Sequence, residues 1–392
     1  MSRKKTKCPG VTYDDVRKCY YVAFDYGKGE DGNRNRETKT YKKFKDAKKA
    51  REEFLVEKEH GKVVIPSDIS FGEVLDQVLE DKSKKREKTT VYNYRNIVEN
   101  HLKPVLGDIP IQEITVDDLE DYFYFKARKQ LDEEGLALNT LERHLEVMKS
   151  AFKYAKRHKI IYQSPTEVME KLGDIIGYAD TNFEHVILEI EELKAFLAEL
   201  DKNFFRIGYF IAAETGARRS EIIGLKWSAI NFQNSTIEVK EIRTQAGGEL
   251  VIKGPKSKKG KRVLTITPYL LNELKLQKEK YENNKVKYGD KFDDSNLVIC
   301  HPNGKKTAVN SISNNLAKMR KKLNLRYFRL HDLRHTALST LYNQGKMTDV
   351  QVAAIAGHSS ANFTRSVYLG NAKNPSPEAA NIMNKLLYGD VS

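Results

Sequence analysis

The spacing of apolar residues changes twice along this chain, and each change falls at a polar break. Before "GKVVIPSDIS" (61–70), two stretches read as β-strands rich in aromatic and β-branched residues: "CYYVAFDYG" (19–27) and "RETKTYKKF" (36–44). They flank the turn-like "KGEDGNRN". "KDAKKAREEFLVEKEHG" follows with a rough helical stripe of Ala47, Ala50, Phe54 and Val56. From Phe71 to about Leu172 the period is helical. Beyond a second break, "GDIIGYADTNFEHV" (173–186), helices bracket the strand-like runs "STIEVKEIR", "ELVIKG" and "KRVLTIT". One core cannot serve three such patterns, and 392 residues exceed an ordinary single domain. Three domains are therefore expected: 1–66, 67–172 and 173–392.

Within the second segment, "TTVYNYRNIVENHL" sets Val91, Tyr94, Ile97, Val98, His101 and Leu102 at helical spacing. "NTLERHLEVMKSAFKYAKRHK" places Asn139 and Glu142 as N-cap and N3 of a capping box. Leu141, Leu145, Met148, Phe152 and Ala155 then share one face, and Lys149, Lys153, Lys156 and Arg157 fall on the other. The expectation is a helical bundle with a basic outer face.

Charge narrows the partner. Lys and Arg number 68 against 54 Asp and Glu, a net charge of +14. Residues 1–62 hold 18 basic and 11 acidic side chains, so half the excess sits in about a sixth of the chain. Such an excess favours a polyanion, because neutralised phosphates release condensed counterions. A small basic sheet suits a DNA groove; the plain alternative is a solvated module with exposed lysines. Cys8, Cys19 and Cys300 form no CxxC pair, which fits a reducing compartment. "MSRKKTKCPG" leads into no apolar h-region, and no run approaches the ~20 apolar residues of a membrane span. A cytoplasmic protein is expected, with no membrane partner.

The chemistry concentrates in "HDLRHTALSTLYNQG", beginning at His331. His331 and His335 are four apart and could share a metal ion. However, zinc proteases of that spacing carry Glu after the first His, where this chain has Asp332, and the fixed charge of Arg334 would repel a cation. A phosphate site fits better. His331 and Arg334 are helix-face neighbours, the guanidinium fork matches two phosphate oxygens, and His331 can exchange a proton near neutral pH. His335 reads as buried and structural, bonded to a backbone carbonyl.

Other segments add weaker signals. In "ETGARRSEIIGLKW", Arg218 opens a helix, where anions are favoured, and Glu221 can brace it. In "GPKSKKGKRVLTI", Lys256 stands at the base of an expected hairpin between the flanking strands. "AIAGHSSANFTRSVYLG" places His358 after Gly357 and Tyr368 ten residues on. A tyrosine hydroxyl attacks only where cations stabilise its phenolate. Each signal alone has an ordinary structural reading.

In this order, TGxRxSE, PKS, HxLRHT, GH and Tyr resemble the tyrosine recombinase (phage integrase) family, over roughly residues 67–375. Residues 1–62 resemble the arm-type DNA-binding module of integrases from phages and conjugative transposons. The resemblance implies a multidomain fold, mainly α with small β-sheets. Its parts are an N-terminal three-stranded sheet plus helix, an α-helical core-type DNA-binding domain and a mixed α+β catalytic domain. It implies that Tyr368 attacks a scissile phosphate to give a 3′-phosphotyrosyl bond. Arg218, Arg334 and His358 would hold the non-bridging oxygens, Lys256 would protonate the leaving 5′-oxygen, and His331 would assist proton transfer. It further implies a Holliday junction, no metal or ATP cofactor, and integration and excision of a mobile element. The partners implied are double-stranded DNA at core and arm sites, a homotetramer on DNA, and an excisionase or host DNA-bending protein. The implied location is bacterial cytoplasm, at the nucleoid. Two departures stand out: Gly370 occupies a place where many members carry His, and Lys256 is crowded by Lys253, Lys258, Lys259 and Lys261.

Three other functions compete. A type IB topoisomerase uses a similar residue set, and a DNA-binding protein without catalysis needs only the basic surfaces. An RNA binder would expose Tyr20, Tyr21 and Tyr26 for stacking. At the C-terminus, "SPEAANIMNKLLYG" carries Ala379, Ile382, Met383, Leu386 and Leu387 as an apolar stripe after Pro375 and Pro377. It reads as an assembly tail, docking on a neighbouring protomer or in cis.

Overall fold

The computed structural model describes residues 3–28, 32–127, 135–177, 186–254, 261–343, 347–357 and 377–389. It divides into two compact units, Met1–Thr181 and Asn182–Ser392. The first unit contains two separate apolar clusters.

The N-terminal cluster joins an antiparallel sheet to one helix. Strands β1 (Lys4–Lys5), β2 (Val11–Asp14), β3 (Cys19–Lys28) and β4 (Arg34–Tyr41) lie in that order. Beyond the three expected strands there is thus a fourth, the two-residue β1. Helix α1 (Phe44–Glu59) buries Ala47 and Phe54 against Val11, Val22 and Phe24. Val56, counted in its stripe, is exposed instead: two residues beyond Phe54, it is turned about 200° round the helix, away from the sheet. Strand alternation sends Tyr21, Ala23, Arg36, Thr38 and Thr40 to the face away from Val22 and Phe24. Arg3 stacks there on the Tyr21 ring at 3.7 Å.

The second cluster is helical. Helices α2 (Phe71–Lys85), α3 (Lys88–Ile97), α4 (Lys103–Leu106), α5 (Val116–Ala127), α6 (Leu138–Arg157) and α7 (Leu172–Ile176) enclose Phe71, Leu102, Phe123, Met148 and Phe152. Ser70 and Glu73 form a reciprocal capping box at the start of α2. The capping box expected at Asn139 and Glu142 does not form: Ala137 is the N-cap and Asn139 lies inside the first turn. Docking of Leu138 on the bundle sets that start, outweighing a cap worth about 1 kcal/mol. Leu172, Ile175 and Ile176 pack on the same cluster, so its contacts run past residue 172 into the expected linker.

His144 is fully buried inside this cluster and shares a hydrogen bond between Nδ1 and Tyr122 Oη (2.8 Å), with the His101 ring 4.7 Å away. Burial, then the charges of His101 and Lys126, lower its pKa to about 4. The folded value lies below the unfolded one, so this contribution is complete above pH ~6.5 and is lost as pH falls toward 4. His144→Asn keeps a hydrogen-bonding partner for Tyr122 but cannot titrate. Its unfolding midpoint should therefore decline less than the parent's between pH 7 and 5, and parallel declines would refute the assignment.

The second unit has the largest core. Helices α8 (Ile190–Ala198), α9 (Arg206–Thr215) and α10 (Arg219–Gly224) are followed by β5 (Ile230–Asn231), β6 (Thr236–Val239), β7 (Ile242–Ala246), β8 (Glu249–Lys253) and β9 (Arg262–Thr265). Then come α11 (Pro268–Tyr288), α12 (Ser311–Lys322), α13 (Leu330–Asn343), α14 (Asp349–Ala356) and α15 (Pro377–Tyr388). The hairpin expected between the strands flanking Lys256 is not a ladder. Strand β8 pairs with β7, while β9 pairs with β6 in the order β5-β6-β9. Gly247 and Gly248, both at positive φ (59° and 85°), close the β7–β8 turn as a two-residue hairpin requires.

The C-terminal helix docks in cis. In α15, Ala379, Ala380, Met383 and Leu387 are buried against this unit's own core. Tyr388 stacks on Tyr269 (4.0 Å between centroids) and donates a 2.6 Å hydrogen bond to Glu214 Oε1. Burial pushes the Glu214 carboxyl up to about 7. Pro375 lies outside the described residues. Among the described residues, no helix is long and apolar enough to cross a membrane.

Candidate active site

The site grows from three helix ends in the second unit. Helix α9 stops at Gly216, whose φ of +64° lies in the left-handed region. A Cβ there would come within 3.3 Å of Leu338, so glycine lets α9 approach α13. The chain turns at once into α10 with Arg218 as N-cap. Glu221 accepts from the Arg218 backbone N–H (2.7 Å) and from its Nη1 (3.1 Å), the bracing expected of this pair.

Helix α13 begins at Leu330, so "HDLRH" is its first turn. Asp332, fully buried, accepts from the backbone N–H, Nε and Nη2 of Arg329 (2.7, 3.2 and 3.1 Å). Burial works to raise that carboxyl, but the hydrogen bonds and charge of Arg329 hold it below the usual range. Asp332 thus caps the helix that carries the two candidate groups. His331 is exposed, whereas Arg334 is only 2% exposed. Arg334 donates from Nη1 to Gly216 O (2.5 Å) and from Nη2 to Ala356 O (2.6 Å). His335 is buried, as expected, with its ring edge-on to His331 at 4.7 Å, but no backbone carbonyl of the described residues makes the hydrogen bond expected of its ring.

Helix α14 ends at Gly357, also left-handed at φ +63°. Gly357 O accepts from Arg218 Nη2 at 3.2 Å. Arg218 and Arg334 therefore converge on neighbouring carbonyls, although 116 residues of numbering separate them. Burial, then repulsion from Arg218 and Arg262, drives the Arg334 pKa well below its ordinary value, with Glu221 opposing. A guanidinium cluster with one carboxylate is an electropositive cradle suited to a phosphate. The structure brings Arg218 and Arg334 together and places His331 on the same helix as Arg334. Lys256, His358, Tyr368 and Gly370 lie outside the described residues.

One participant escaped sequence reasoning. Arg262 in β9 is buried and bonds Glu221 through Nη1 and Nη2, both at 2.9 Å. Its signal was the alternation in "RVLT": Arg262 and Leu264 share the inward face, where a cation requires a buried partner. Among the described residues, no group of three or more His, Cys, Asp or Glu is arranged to hold a metal ion.

Comparison with known proteins agrees with this architecture. Residues 187–374 match the model of the phage integrase family, and residues 70–126 match that of the phage integrase N-terminal SAM-like domain. The chain is 23% identical to a protein named tyrosine recombinase XerC-like from Caldanaerobacter subterraneus subsp. tengcongensis, covering 94% of this chain and 96% of that one. It is 25% identical to the ICEBs1 integrase of Bacillus subtilis, covering 75% and 77%. In fold it is similar to the Tn1549 transposon integrase in complex with a circular intermediate DNA (TM-score 0.64, 20% identity, 77% of this chain and 95% of that one). It is also similar to a lambda integrase tetramer bound to a Holliday junction (TM-score 0.53, 16% identity, 91% and 97%). The chain belongs to the tyrosine recombinase (phage integrase) family, the enzymes of site-specific DNA recombination.

Proposed function

We propose that this enzyme integrates and excises a mobile element by cutting and rejoining double-stranded DNA through a 3′-phosphotyrosyl intermediate. The observation that carries the reading is the convergence of Arg218 and Arg334 on the end of α14, the helix that leads to His358 and Tyr368. The Tyr368 oxygen attacks the scissile phosphorus as the bond to the 5′-oxygen breaks. Arg218, Arg334 and His358 bind the non-bridging oxygens; Lys256 supplies the proton to the 5′-oxygen, and His331 takes up the proton Tyr368 loses. The phosphotyrosyl bond conserves the energy of the broken phosphodiester, so rejoining requires no ATP.

Four protomers on two duplexes carry out strand exchange through a Holliday junction, with an excisionase or DNA-bending protein setting direction. The setting is the bacterial cytoplasm at the nucleoid. Two plasmids separate recombination from topoisomerase action. One carrying paired attachment sites should be resolved, and one lacking them should keep its supercoils. Relaxation of the second plasmid at an equal rate would favour the topoisomerase reading.

The domains divide the recognition: 1–66 reads arm sites, 67–172 core sites, and 173–392 performs the chemistry. The arm reading rests on the separate N-terminal apolar cluster and on a sheet face carrying Arg3 over the buried Tyr21 ring, with Arg36 (paired with Asp25), Thr38 and Thr40. Residues 1–66 should bind short duplexes different from those bound by 67–392, with affinity falling steeply as salt rises. Identical site preferences would remove the arm assignment.

A further inference from the structure

Three guanidinium groups end on three consecutive carbonyls of α14 and its cap. Arg262 Nε donates to Ile355 O (2.6 Å), Arg334 Nη2 to Ala356 O (2.6 Å) and Arg218 Nη2 to Gly357 O (3.2 Å). Carbonyls at a helix C-terminus lack partners within the helix and carry the negative end of its dipole, so cations collect there. Two of these arginines belong to the phosphate cradle. The third, Arg262, does not.

We propose that Arg262 is a positioning residue for DNA cleavage, pinning the end of α14 and holding Glu221 behind Arg218 while the other two arginines engage the phosphate. This rests on the phosphate-cradle reading above. A phosphate is a stronger acceptor than a peptide carbonyl, because its hydrogen bonds are charge-assisted. When it arrives, donors of Arg218 and Arg334 turn toward it and α14 loses part of its hold. Arg262 cannot follow. Its Nη atoms are bonded to both oxygens of the Glu221 carboxylate, a charge-assisted pair, whereas those of Arg334 are bonded to peptide carbonyls that a phosphate can replace. Its bond to Ile355 therefore persists, and with it the position of the chain entering His358.

Electrostatics and shape support the assignment. The charged groups facing Glu221 are Arg218 at the start of α10, Arg262 from β9 and Arg334 from α13. Burial pushes Glu221 up, yet the hydrogen bonds and charge of Arg262, then those of Arg218, hold it down at about 2. Glu221 thus stays a carboxylate and keeps Arg218 aimed. At Gly357, a Cβ would lie 3.0 Å from Arg262 Nη1 and 3.1 Å from its Cδ. Gly357, the cap of α14, thus packs directly on the Arg262 side chain. Arg262 also opens β9, the strand that follows the segment bearing Lys256. It therefore joins three sequence-distant pieces of the site.

The test is single-turnover cleavage of a nicked suicide duplex by the full chain, alongside its affinity for that duplex at fixed salt and its melting temperature. Arg262→Lys keeps a cation beside Glu221 but cannot serve both the carboxylate and Ile355 O. A purely structural ion pair would tolerate it. Expected are affinity within about threefold of the parent, a melting temperature within a few degrees, and cleavage slower by about 10²-fold, as for a small displacement of catalytic groups. Arg262→Gln, which keeps an N–H donor near Ile355 O but loses the charged pair with Glu221, should show the same selective loss and serves if the lysine variant fails to fold. Parental cleavage by a folded variant overturns the proposal, as does a loss matched by equal loss of affinity or folding. Failure of the cradle reading itself would appear separately, as parental cleavage by Arg334→Lys.

Discussion

Tyr368→Phe should abolish the covalent protein–DNA complex while leaving folding and DNA binding intact. The change removes one oxygen and keeps the ring, so the loss should be total within detection rather than partial. Parent protein on a nicked suicide duplex in EDTA should give an adduct stable to detergent and destroyed by protease. Twenty tyrosines compete for the role, and Tyr342 and Tyr388 lie in the same unit. The fold disfavours both. Tyr342 is a half-buried ring packed on the core from α13. Tyr388 is stacked on Tyr269, donates its hydroxyl proton to the Glu214 carboxyl, and has its pKa raised by burial and that carboxylate. A nucleophile needs the opposite, cations that lower the cost of its phenolate. An adduct formed by Tyr368→Phe would show that another residue attacks the phosphate.

Arg334→Lys should slow cleavage about 10³-fold, since one positioned arginine on a transferring phosphoryl group is worth 10³–10⁵ in rate. Lysine retains the charge but not the fork. Arg334 reaches Gly216 O and Ala356 O from two separate nitrogens, tying the ends of α9 and α14 to α13. A single ammonium cannot hold both carbonyls and also present a planar edge to phosphate. Because Arg334 is buried, some stability will go too, so rates must be taken where the variant is shown to be folded. Salt-dependent affinity should change little, because most of it comes from the basic surfaces elsewhere. Cleavage within tenfold of the parent would mean that Arg334 is only a structural tie.

Much of this molecule was legible in its amino-acid order. Strands β3 and β4, helix α1 and the bundle helices follow from local alternation and period, which depend on neighbours a few residues away. The pairing of Arg218 with Glu221 was readable for the same reason: three residues apart at a helix start, they must meet. Where local signals competed with docking, docking won. Asn139 lost its cap position because Leu138 is drawn onto the bundle. The strands around Lys256 did not pair with each other, because Ile237 takes Leu264 as its cross-strand partner and the Gly247–Gly248 turn folds β8 back on β7.

By itself, then, the sequence determined the residue types of the site, their order and the local elements that carry them, because spacing along a helix or strand is a property of the covalent chain. Only the tertiary structure decided which distant pieces meet. It brought the carbonyls of Ile355, Ala356 and Gly357 to Arg262, Arg334 and Arg218, and placed α15 on its own core. The physical reason is that buried cations must find acceptors and apolar stripes must find cover. Both demands are met through space, by whichever partners the packing of the whole core brings within reach.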